Sequence, residues 1–313
     1  MLKFIGKRII SSIALLFVTS TLAFFLFSTG TKNAAYAVLG TTATDQNVAN
    51  FNREHNLDVP IFEQYLNWLL GALRFDLGLP WTYTQSSIEL VTTRLAVSAT
   101  ILGIAMVLAA IAAIFLGVSA ARRGGWVDRL VQAFGIFSFV VPNYIIALIL
   151  ISIFAIQLRI FAATGWLEAD SDFGSFINVA TLPVVAVGFT SMAMIAMQIR
   201  GSVVEALQLE YVRVLQSRGL STTRVLYKHV LRNVAGPALT IFGMQFIGML
   251  GGLVVIEQIF AIPGFGSLTQ DAAFRSDLPA LMALVVATSI LVVIVNLTTE
   301  IISALLNPKV RLS

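Results

Sequence analysis

The chain has 313 residues, of which 58% are hydrophobic and 12% charged, and its mean hydropathy is +0.88. Soluble domains are nearer half apolar and a quarter charged, so this balance excludes an ordinary soluble protein and predicts a membrane protein. Cysteine is absent, which excludes disulfides and thiolate metal sites, and the two histidines lie too far apart in sequence to form a metal-binding pair at helical spacing.

Six segments contain no Asp, Glu, Lys or Arg, and each exceeds the roughly 20 residues needed to cross a hydrocarbon core of about 30 Å. Helices satisfy their own backbone hydrogen bonds in lipid, and the sequence lacks the alternation of a membrane barrel. We therefore predict an all-α polytopic membrane protein with six transmembrane helices. The segments are 9–31, 95–121, 130–158, 173–199, 233–256 and 278–299.

The first segment follows Lys3, Lys7 and Arg8 and precedes Ala35-Tyr36-Ala37, a pattern that a signal peptide also shows. A signal peptide has an apolar core of about 7 to 15 residues, and this one is longer. We expect an uncleaved N-terminal transmembrane helix.

Basic residues lie mainly on one side of these six spans. With the N-terminus in the cytoplasm, 14 of the 20 basic residues are cytoplasmic and 12 of the 16 acids fall on the other side. This distribution satisfies the positive-inside tendency, so both termini are expected in the cytoplasm.

The segment 31–94 is then extracytoplasmic and amphipathic. Residues 56–60 (NLDVP) read as a turn, and Trp68 and Trp81 suit a membrane interface. The spacing that follows the turn predicts a short helix on the membrane surface or packed on the bundle. Its apolar residues are Ile61, Tyr65, Leu66, Leu69 and Leu73.

The next three helices are separated by short polar turns. The second, near 97–121, ends at a turn beginning with Arg122, and the third contains Pro142, which predicts a kink. The fourth begins near Pro183, after an acidic loop, and is expected to continue to Arg218. The acids of that loop are Glu168, Asp170 and Asp172.

The stretch 203–237 carries the densest polar chemistry in the chain. Gly219 is expected to stop the preceding helix in the left-handed conformation, and Ser221 to cap a second short helix over 222–233. On that helix Arg224, Lys228 and Arg232 fall at i, i+4 and i+8 and form one basic face. This face could meet anionic lipid headgroups or dock into a cytoplasmic partner.

The fifth helix, near 239–260, contains Gly248 and Gly252 at GxxxG spacing, which indicates close helix packing. Glu257 lies near its end. An acid at the edge of an apolar span indicates a pathway, a gate or a buried pair, and the alternative is a carboxylate that reaches water beside Pro263 and Gly264.

Three blocks together resemble a known family. The segment EYVRVLQSRGL at 210–220, followed by Val225, His229, Leu231 and Asn233, resembles the cytoplasmic EAA loop of ABC importer permeases of the dipeptide, oligopeptide and nickel branch. EQIFAIPGFG at 257–266 and NPKVR at 307–311 resemble later segments of that branch. The sequence departs from the family at Leu215 and Ser217, where small Ala residues are usual, and at NPK, where Asp-Pro-Arg is familiar.

The resemblance implies a type I ABC importer permease fold. Residues 1–30 would form the N-terminal transmembrane helix, 31–94 the extracytoplasmic segment, and 95–313 the permease domain, with its coupling loop at about 203–236. The expected coupling residues are Glu210, Tyr211, Arg213, Leu215, Arg218, Gly219, Leu220, Ser221, Arg224, Val225, Lys228 and His229. The expected gate or pathway residues are Gln245, Glu257, Pro263, Gly264, Phe265 and Gly266.

The resemblance also implies partners in a bacterial plasma membrane. These are a homologous second permease subunit, one or two cytoplasmic ATPase subunits that bind ATP and Mg, and an extracytoplasmic solute-binding protein. The sequence contains no GxxxxGK[ST], so this chain has no P-loop for ATP, and neither a cofactor nor a nucleic acid is expected on it.

Two other classes of membrane protein fit the sequence less well. An intramembrane enzyme would need catalytic groups within the spans, and the sequence has no HExxH and no cysteine nucleophile. An ion-driven carrier would place several ionisable residues near the bilayer midplane, whereas only Glu257 and Glu300 lie in the spans, toward helix ends. Peptide is the first choice of solute, and nickel or another small solute is the alternative.

Overall fold

The computed structural model describes residues 2–31, 34–167 and 172–306. These residues contain helices and no strand, which confirms the all-α class. The helices are α1 (Leu2–Ser28), α2 (Ala34–Leu39), α3 (Asp45–Glu54), α4 (Ile61–Ala72), α5 (Ser87–Arg123), α6 (Gly125–Val140), α7 (Asn143–Leu150), α8 (Phe173–Leu207), α9 (Glu210–Ser217), α10 (Thr222–Val225), α11 (Leu231–Ile259), α12 (Phe265–Phe274) and α13 (Leu278–Leu306). Short π-helical segments extend α7 (Ile151–Gln157) and join α10 to α11 (Leu226–Val230).

Within the described residues, five helices are long and apolar enough to cross a membrane, and α6 with α7 makes a sixth span if that bent pair counts as one. The five are Arg8–Ser28, Ser87–Arg123, Phe173–Leu207, Thr222–Ile259 and Leu278–Ser303. The expected starts of the second helix near 97 and of the fourth near 183 were wrong. The helices begin about ten residues earlier, because capping rather than the loss of charge ends a helix.

Asp172 illustrates this at the start of α8. Its side chain accepts hydrogen bonds from the Ser175 amide and hydroxyl, at 2.9 and 3.0 Å. These bonds hold the pKa of the Asp172 carboxyl below its ordinary value and provide the N-cap that starts the helix. Glu168 and Asp170, the other acids of the predicted acidic loop, lie outside the described residues.

The third span is broken rather than kinked at Pro142. The helices α6 and α7 meet at an angle of 102°, and Pro142 is the N-cap residue of α7. Proline has no amide hydrogen to donate, which suits it to the start of a helix, and the chain restarts there. Pro183 and Pro237, by contrast, lie inside α8 and α11. The Thr190 hydroxyl donates to Asn143 Oδ1 beside the break, which ties α7 to α8.

The chain divides into two compact units. The first comprises Met1–Ser98 and Pro263–Val293, and the second comprises Ala99–Ile262 and Ile294–Ser313. In the first unit, α1 and α4 pack through aromatic rings: the Phe24 centroid lies 5.4 Å from that of Tyr65 and 5.8 Å from that of Trp68. Leu278 and Met282 of α13 belong to the same apolar cluster.

Asp277 is the fully buried carboxylate that joins two parts of this first unit. Its Oδ2 accepts from the Trp81 amide at 2.9 Å, and from the amide and hydroxyl of Thr82 at 3.1 and 2.9 Å. Its Oδ1 accepts from the Ala280 amide at 3.2 Å, which caps the start of α13. The Asp277 side chain therefore caps the start of α13 and also holds the segment that precedes α5.

The second unit has its core where α8 meets α5, α6 and α11. Its buried residues come from α5, α6, α8, α9, α10 and α11, including Ala113, Val131, Ile195, Val212 and Val225. At Gly117 a Cβ would lie 2.6 Å from the Ala196 carbonyl oxygen, so only glycine permits α5 and α8 to approach this closely.

Replacing Asp277 with alanine should destabilise the protein by about 2 to 4 kcal/mol, because it leaves buried amide and hydroxyl donors unpaired and removes a helix cap. We expect the midpoint of thermal unfolding, followed by tryptophan fluorescence in detergent, to fall by several degrees. Asp271→Ala is the matched control, since Asp271 is an exposed acid in the same unit. Equal midpoints for the two variants would contradict this role for Asp277.

Candidate functional site

The polar stretch 203–237 comprises the end of α8, the short helix α9 and the first part of the helix that runs from Thr222 to Ile259. The expectation that the fourth helix continues to Arg218 was wrong, because α8 ends at Leu207 and α9 begins at Glu210. Leu209 between them is extended, with ψ of 147°. This turn lets Ala206 of α8 and Val212 of α9 enter the same apolar core, which one straight helix would not allow.

Gly219 ends α9, as predicted. Its φ is +82°, in the left-handed region that favours glycine. The Leu220 amide donates to the Leu215 carbonyl at 3.3 Å, and the Gly219 amide donates to the Gln216 carbonyl at 2.9 Å. These two bonds make a Schellman motif, and Leu215 and Leu220 both pack against the core beneath it.

Ser221 then caps the next helix, also as predicted. Its side chain accepts from the Arg224 amide at 3.4 Å. The expected end of this helix near Asn233 and the expected start of the fifth helix at 239 were wrong, since Thr222–Ile259 is one continuous helix of 38 residues. The charge of Arg232 does not interrupt the helix, because nothing before Pro237 removes a backbone hydrogen bond.

The stretch has an apolar inner side and a basic outer side. Val225, Leu226 and Val230 are buried in the core of the second unit, and His229 is half-buried. Five basic side chains are exposed, namely Arg213, Arg218, Arg224, Lys228 and Arg232. Among the predicted coupling residues, Val225 is therefore buried in the core and Leu215 is half-buried. Glu210 and the basic residues are exposed on the surface of the chain.

Two exposed apolar side chains on the basic side were missed by the sequence analysis. Val214 is 52% exposed and Tyr227 is 57% exposed. Their exposure depends on how α9 and the π-helical segment sit on the core, so no local pattern identified them. The accessible surface combines basic charge with an aromatic ring, the composition of a protein-binding surface rather than of a purely electrostatic one.

Hydrogen bonds join the stretch to its neighbours. The Asn233 amide nitrogen donates to Tyr211 Oη at 3.1 Å, linking α9 to α11. Arg122, at the end of α5, donates to Thr223 Oγ1 at 3.3 Å. The helix α9 is thus bonded to α11, and α10 is bonded to α5.

An ion pair between α6 and α8 was also missed. Arg200 Nε lies 2.5 Å from Asp128 Oδ1, and Arg200 Nη2 donates to Asp128 Oδ2 at 2.7 Å. The two side chains are 28% and 18% exposed, so the bidentate pair is partly shielded from water. Gln132 donates to the same carboxylate at 2.9 Å. The two residues are 72 positions apart, which is why sequence spacing did not pair them.

Gln245, a predicted pathway residue, lies half-buried in α11 and accepts from the Ser191 hydroxyl of α8 at 3.2 Å.

The close packing predicted from the GxxxG spacing is formed at only one of the two glycines. A Cβ at Gly252 would meet Asn143 Nδ2 at 3.4 Å, while a Cβ at Gly248 would have no atom of the described residues within 4 Å. Asn143, Ser191 and Gln245 therefore place polar groups among the apolar helices of the second unit.

The other predicted gate residues fall in different units. Glu257, in the second unit, is fully buried, so the alternative of a water-exposed carboxylate was wrong. In the first unit, the segment that leads into α12 is held by α5: Arg94 donates to the Pro263 carbonyl at 3.1 Å, and the Phe265 amide donates to Ser98 Oγ at 2.7 Å. Gly264, the N-cap residue of α12, and Gly266, in the first turn of α12, are buried.

The fold and this loop define a polytopic helical membrane protein of the transport class, without a P-loop of its own. Residues 113–312 match the family described as binding-protein-dependent transport system inner membrane component, and residues 1–76 match the N-terminal region of such membrane components. The chain belongs to this family. It is therefore a multi-pass permease subunit of an ABC importer in the inner membrane, and it is not an enzyme.

Relatives cover its whole length. It is 30% identical to the oligopeptide transport system permease protein OppB of Haemophilus influenzae, over 99% of this chain and 100% of that protein. It is 32% identical to the dipeptide transport system permease protein DppB of Bacillus subtilis, over 100% and 99%. It is 34% identical to the metal-staphylopine import system permease protein CntB of Staphylococcus aureus, over 99% of both chains.

The Asp128–Arg200 pair should show a measurable coupling energy. We expect a double-mutant cycle with Asp128→Ala and Arg200→Ala to give about 1 to 3 kcal/mol, because the two partners are in direct, partly shielded contact. Chemical unfolding of the purified permease provides the free energies. The same cycle with Arg129→Ala, an exposed neighbour of Asp128, should give a value near zero. Equal coupling energies in the two cycles would show that Asp128 does not pair specifically with Arg200.

Proposed function

We propose that this chain is one permease of an ATP-driven peptide importer, and that the 203–237 stretch couples it to a cytoplasmic ATPase. The observation that carries the proposal is the shape of that stretch, an exposed basic surface whose opposite side is packed into the core of the second unit. A force on this surface acts on the transmembrane helices rather than on a loose loop. The positive-inside distribution supports placing this surface and both termini in the cytoplasm.

The continuous helix from Thr222 to Ile259 would transmit movement of the basic surface to the transmembrane helices. At 1.5 Å per residue it is about 57 Å long, and it carries both the basic surface and Gln245. Nucleotide-driven closure of the ATPase would tilt this helix about the turn at Gly219, where φ is +82°. The hydrogen bonds from Asn233 to Tyr211 and from Arg122 to Thr223 would move α9 and α5 with it.

The proposed gate residues are Glu257 in the second unit and, in the first unit, Pro263, Gly264, Phe265 and Gly266. The two glycines are buried, and the backbone of this segment is bonded to Arg94 and Ser98, so movement of the start of α5 would move the segment. Gln245 would contribute a polar group to the pathway, and the apolar side chains around it would discriminate weakly among solutes.

Peptide is the proposed solute. The names of the oligopeptide and dipeptide permeases among the relatives favour it over the nickel alternative, and CntB is named for a metal–staphylopine system. In the proposed complex a homologous second permease completes the pathway, a binding protein selects the solute, and ATP with Mg is bound by one or two ATPase subunits. This chain binds no cofactor in the proposal.

Replacing Gly219 with valine tests the coupling. A β-branched residue in the left-handed conformation is strained by roughly 1 to 2 kcal/mol, enough to shift a docking equilibrium about tenfold. We expect the assembled complex in nanodiscs to lose most of the ATPase stimulation by loaded binding protein, and vesicles to lose peptide uptake.

Gly201→Val is the control, because Gly201 is exposed in α8 with helical φ and no atom within 4 Å of an added Cβ. The coupling proposal is wrong if Gly219→Val leaves assembly, stimulated ATPase activity and uptake unchanged. Uptake that survives removal of the ATPase subunits would instead support an ion-driven carrier.

Tyr227→Ala tests the docking surface itself. An aromatic residue at the centre of a protein interface contributes about 2 kcal/mol, so we expect the affinity of the detergent-solubilised permease complex for its ATPase to fall more than tenfold. Tyr36→Ala, which removes a tyrosine of similar exposure from the first unit, should leave the affinity unchanged. If Tyr227 faces lipid headgroups instead, the two variants will bind the ATPase equally well.

A further inference from the structure

The helix α4 presents three different faces. Tyr65, Trp68 and Leu69 face α1 and pack on Phe24 and its neighbours. The polar face carries Glu63 and Asn67, both exposed. Between these faces lies an apolar stripe, which is exposed in the described chain and consists of Phe62 at 61%, Leu66 at 40%, Leu70 at 55% and Leu73 at 72% exposure. We call these four residues the α4 stripe.

The position of α4 along α1 sets its depth in the membrane. Tyr65 Oη lies 2.7 Å from Thr21 Oγ1, and the ring of Tyr65 packs on Phe24 and Phe25. The apolar span of α1 is Arg8–Ser28, about 31 Å long and close to the thickness of a hydrocarbon core. Thr21 lies seven residues before its end, so Tyr65 reaches about 10 Å inside the span.

Exposed apolar side chains also lie on the part of α1 that packs against α4. Leu22 is 67% and Leu26 is 68% exposed on the same two turns of α1 that bind α4. On a transmembrane helix such exposed leucines contact acyl chains. The hydrogen bond between Tyr65 and Thr21 holds α4 at the depth of these leucines, so the α4 stripe would have the same surroundings. An amphipathic helix inserted to this depth, with its polar face toward the headgroups, has the geometry of an interfacial helix.

Phe75, just after α4, agrees with this placement. It occupies the left-handed region with φ of +62°, where bulky residues are rare, and it is 85% exposed. The Asp76 amide donates to Gly71 and the Phe75 amide to Ala72, so Phe75 occupies the position at a helix end where glycine is usual. An aromatic ring retained at a strained, exposed position next to an apolar stripe is suited to anchoring in a membrane interface.

From this geometry we propose that α4 lies within the bilayer leaflet at the C-terminal end of α1, with the α4 stripe among the acyl chains and Phe75 at the interface. The helix is too short to span, so it adds a monotopic element to the transmembrane bundle. The lipid would hold the segment before α5 against α1 independently of any partner protein. This placement of α4 is independent of the solute and of the coupling loop.

Accessibility of a spin label tests this directly, and the chain has no native cysteine to interfere. Single cysteines at Leu66 and Leu70 are labelled in the assembled permease complex in lipid nanodiscs. Collision with oxygen, which concentrates in lipid, is compared with collision with a water-soluble nickel chelate. Leu22→Cys on α1 is the lipid reference, and Asn67→Cys on the polar face of α4 is the matched control.

We expect the oxygen-to-nickel ratio at Leu66 and Leu70 to equal that at Leu22 and to exceed that at Asn67 several-fold. A ratio equal to that at Asn67 would place the stripe in water and overturn the proposal. Protection of the stripe from both reagents would also overturn it, because a protein partner would then cover the stripe.

Where a cysteine variant does not assemble, Leu70→Trp gives a second measurement. Fluorescence of the added tryptophan should be quenched by lipids brominated on the acyl chains, whereas Asn67→Trp should be quenched far less. Equal quenching at the two positions would contradict an embedded stripe.

Discussion

A backbone amide at the end of a helix or in a turn needs another hydrogen-bond partner, and this chain bends where such partners exist. The Gly219 and Leu220 amides return to carbonyls of α9, and the Phe265 amide finds Ser98. The Trp81 and Thr82 amides converge on Asp277. Each non-helical segment near the proposed functional sites is therefore held by a defined acceptor, which makes its conformation specific rather than loose.

Asp277 is the most connected of these acceptors. Its burial is costly for a carboxylate unless several donors surround it, and four hydrogen bonds do so. The segment before α5 is thereby fixed to α13 at one end, while α4 is fixed to α1 through Tyr65 and Trp68. In the proposed placement of α4 the bilayer is a further support, so the first unit is held by polar, aromatic and lipid contacts together.

The second unit combines one long continuous helix with local breaks. The helix from Thr222 to Ile259 has no loop between the basic surface and the level of Gln245, so displacement of one end moves the other. The 102° break at Pro142 interrupts the neighbouring span, and Asn143 links it to Thr190. In the proposed mechanism this pairing of one continuous and one broken helix lets force from the ATPase rearrange the polar groups between them.

Properties that depend on residue type and local order were determined by the sequence alone. The all-α class follows from long uncharged runs, the stop at Gly219 from the freedom of glycine at positive φ, and the cap at Ser221 from its hydroxyl. Only the tertiary structure determined which side chains are buried and which residues distant in sequence form pairs. It buried Val225, paired Asp128 with Arg200, and brought Asp277 to Trp81, because only the folded chain determines which groups share a core.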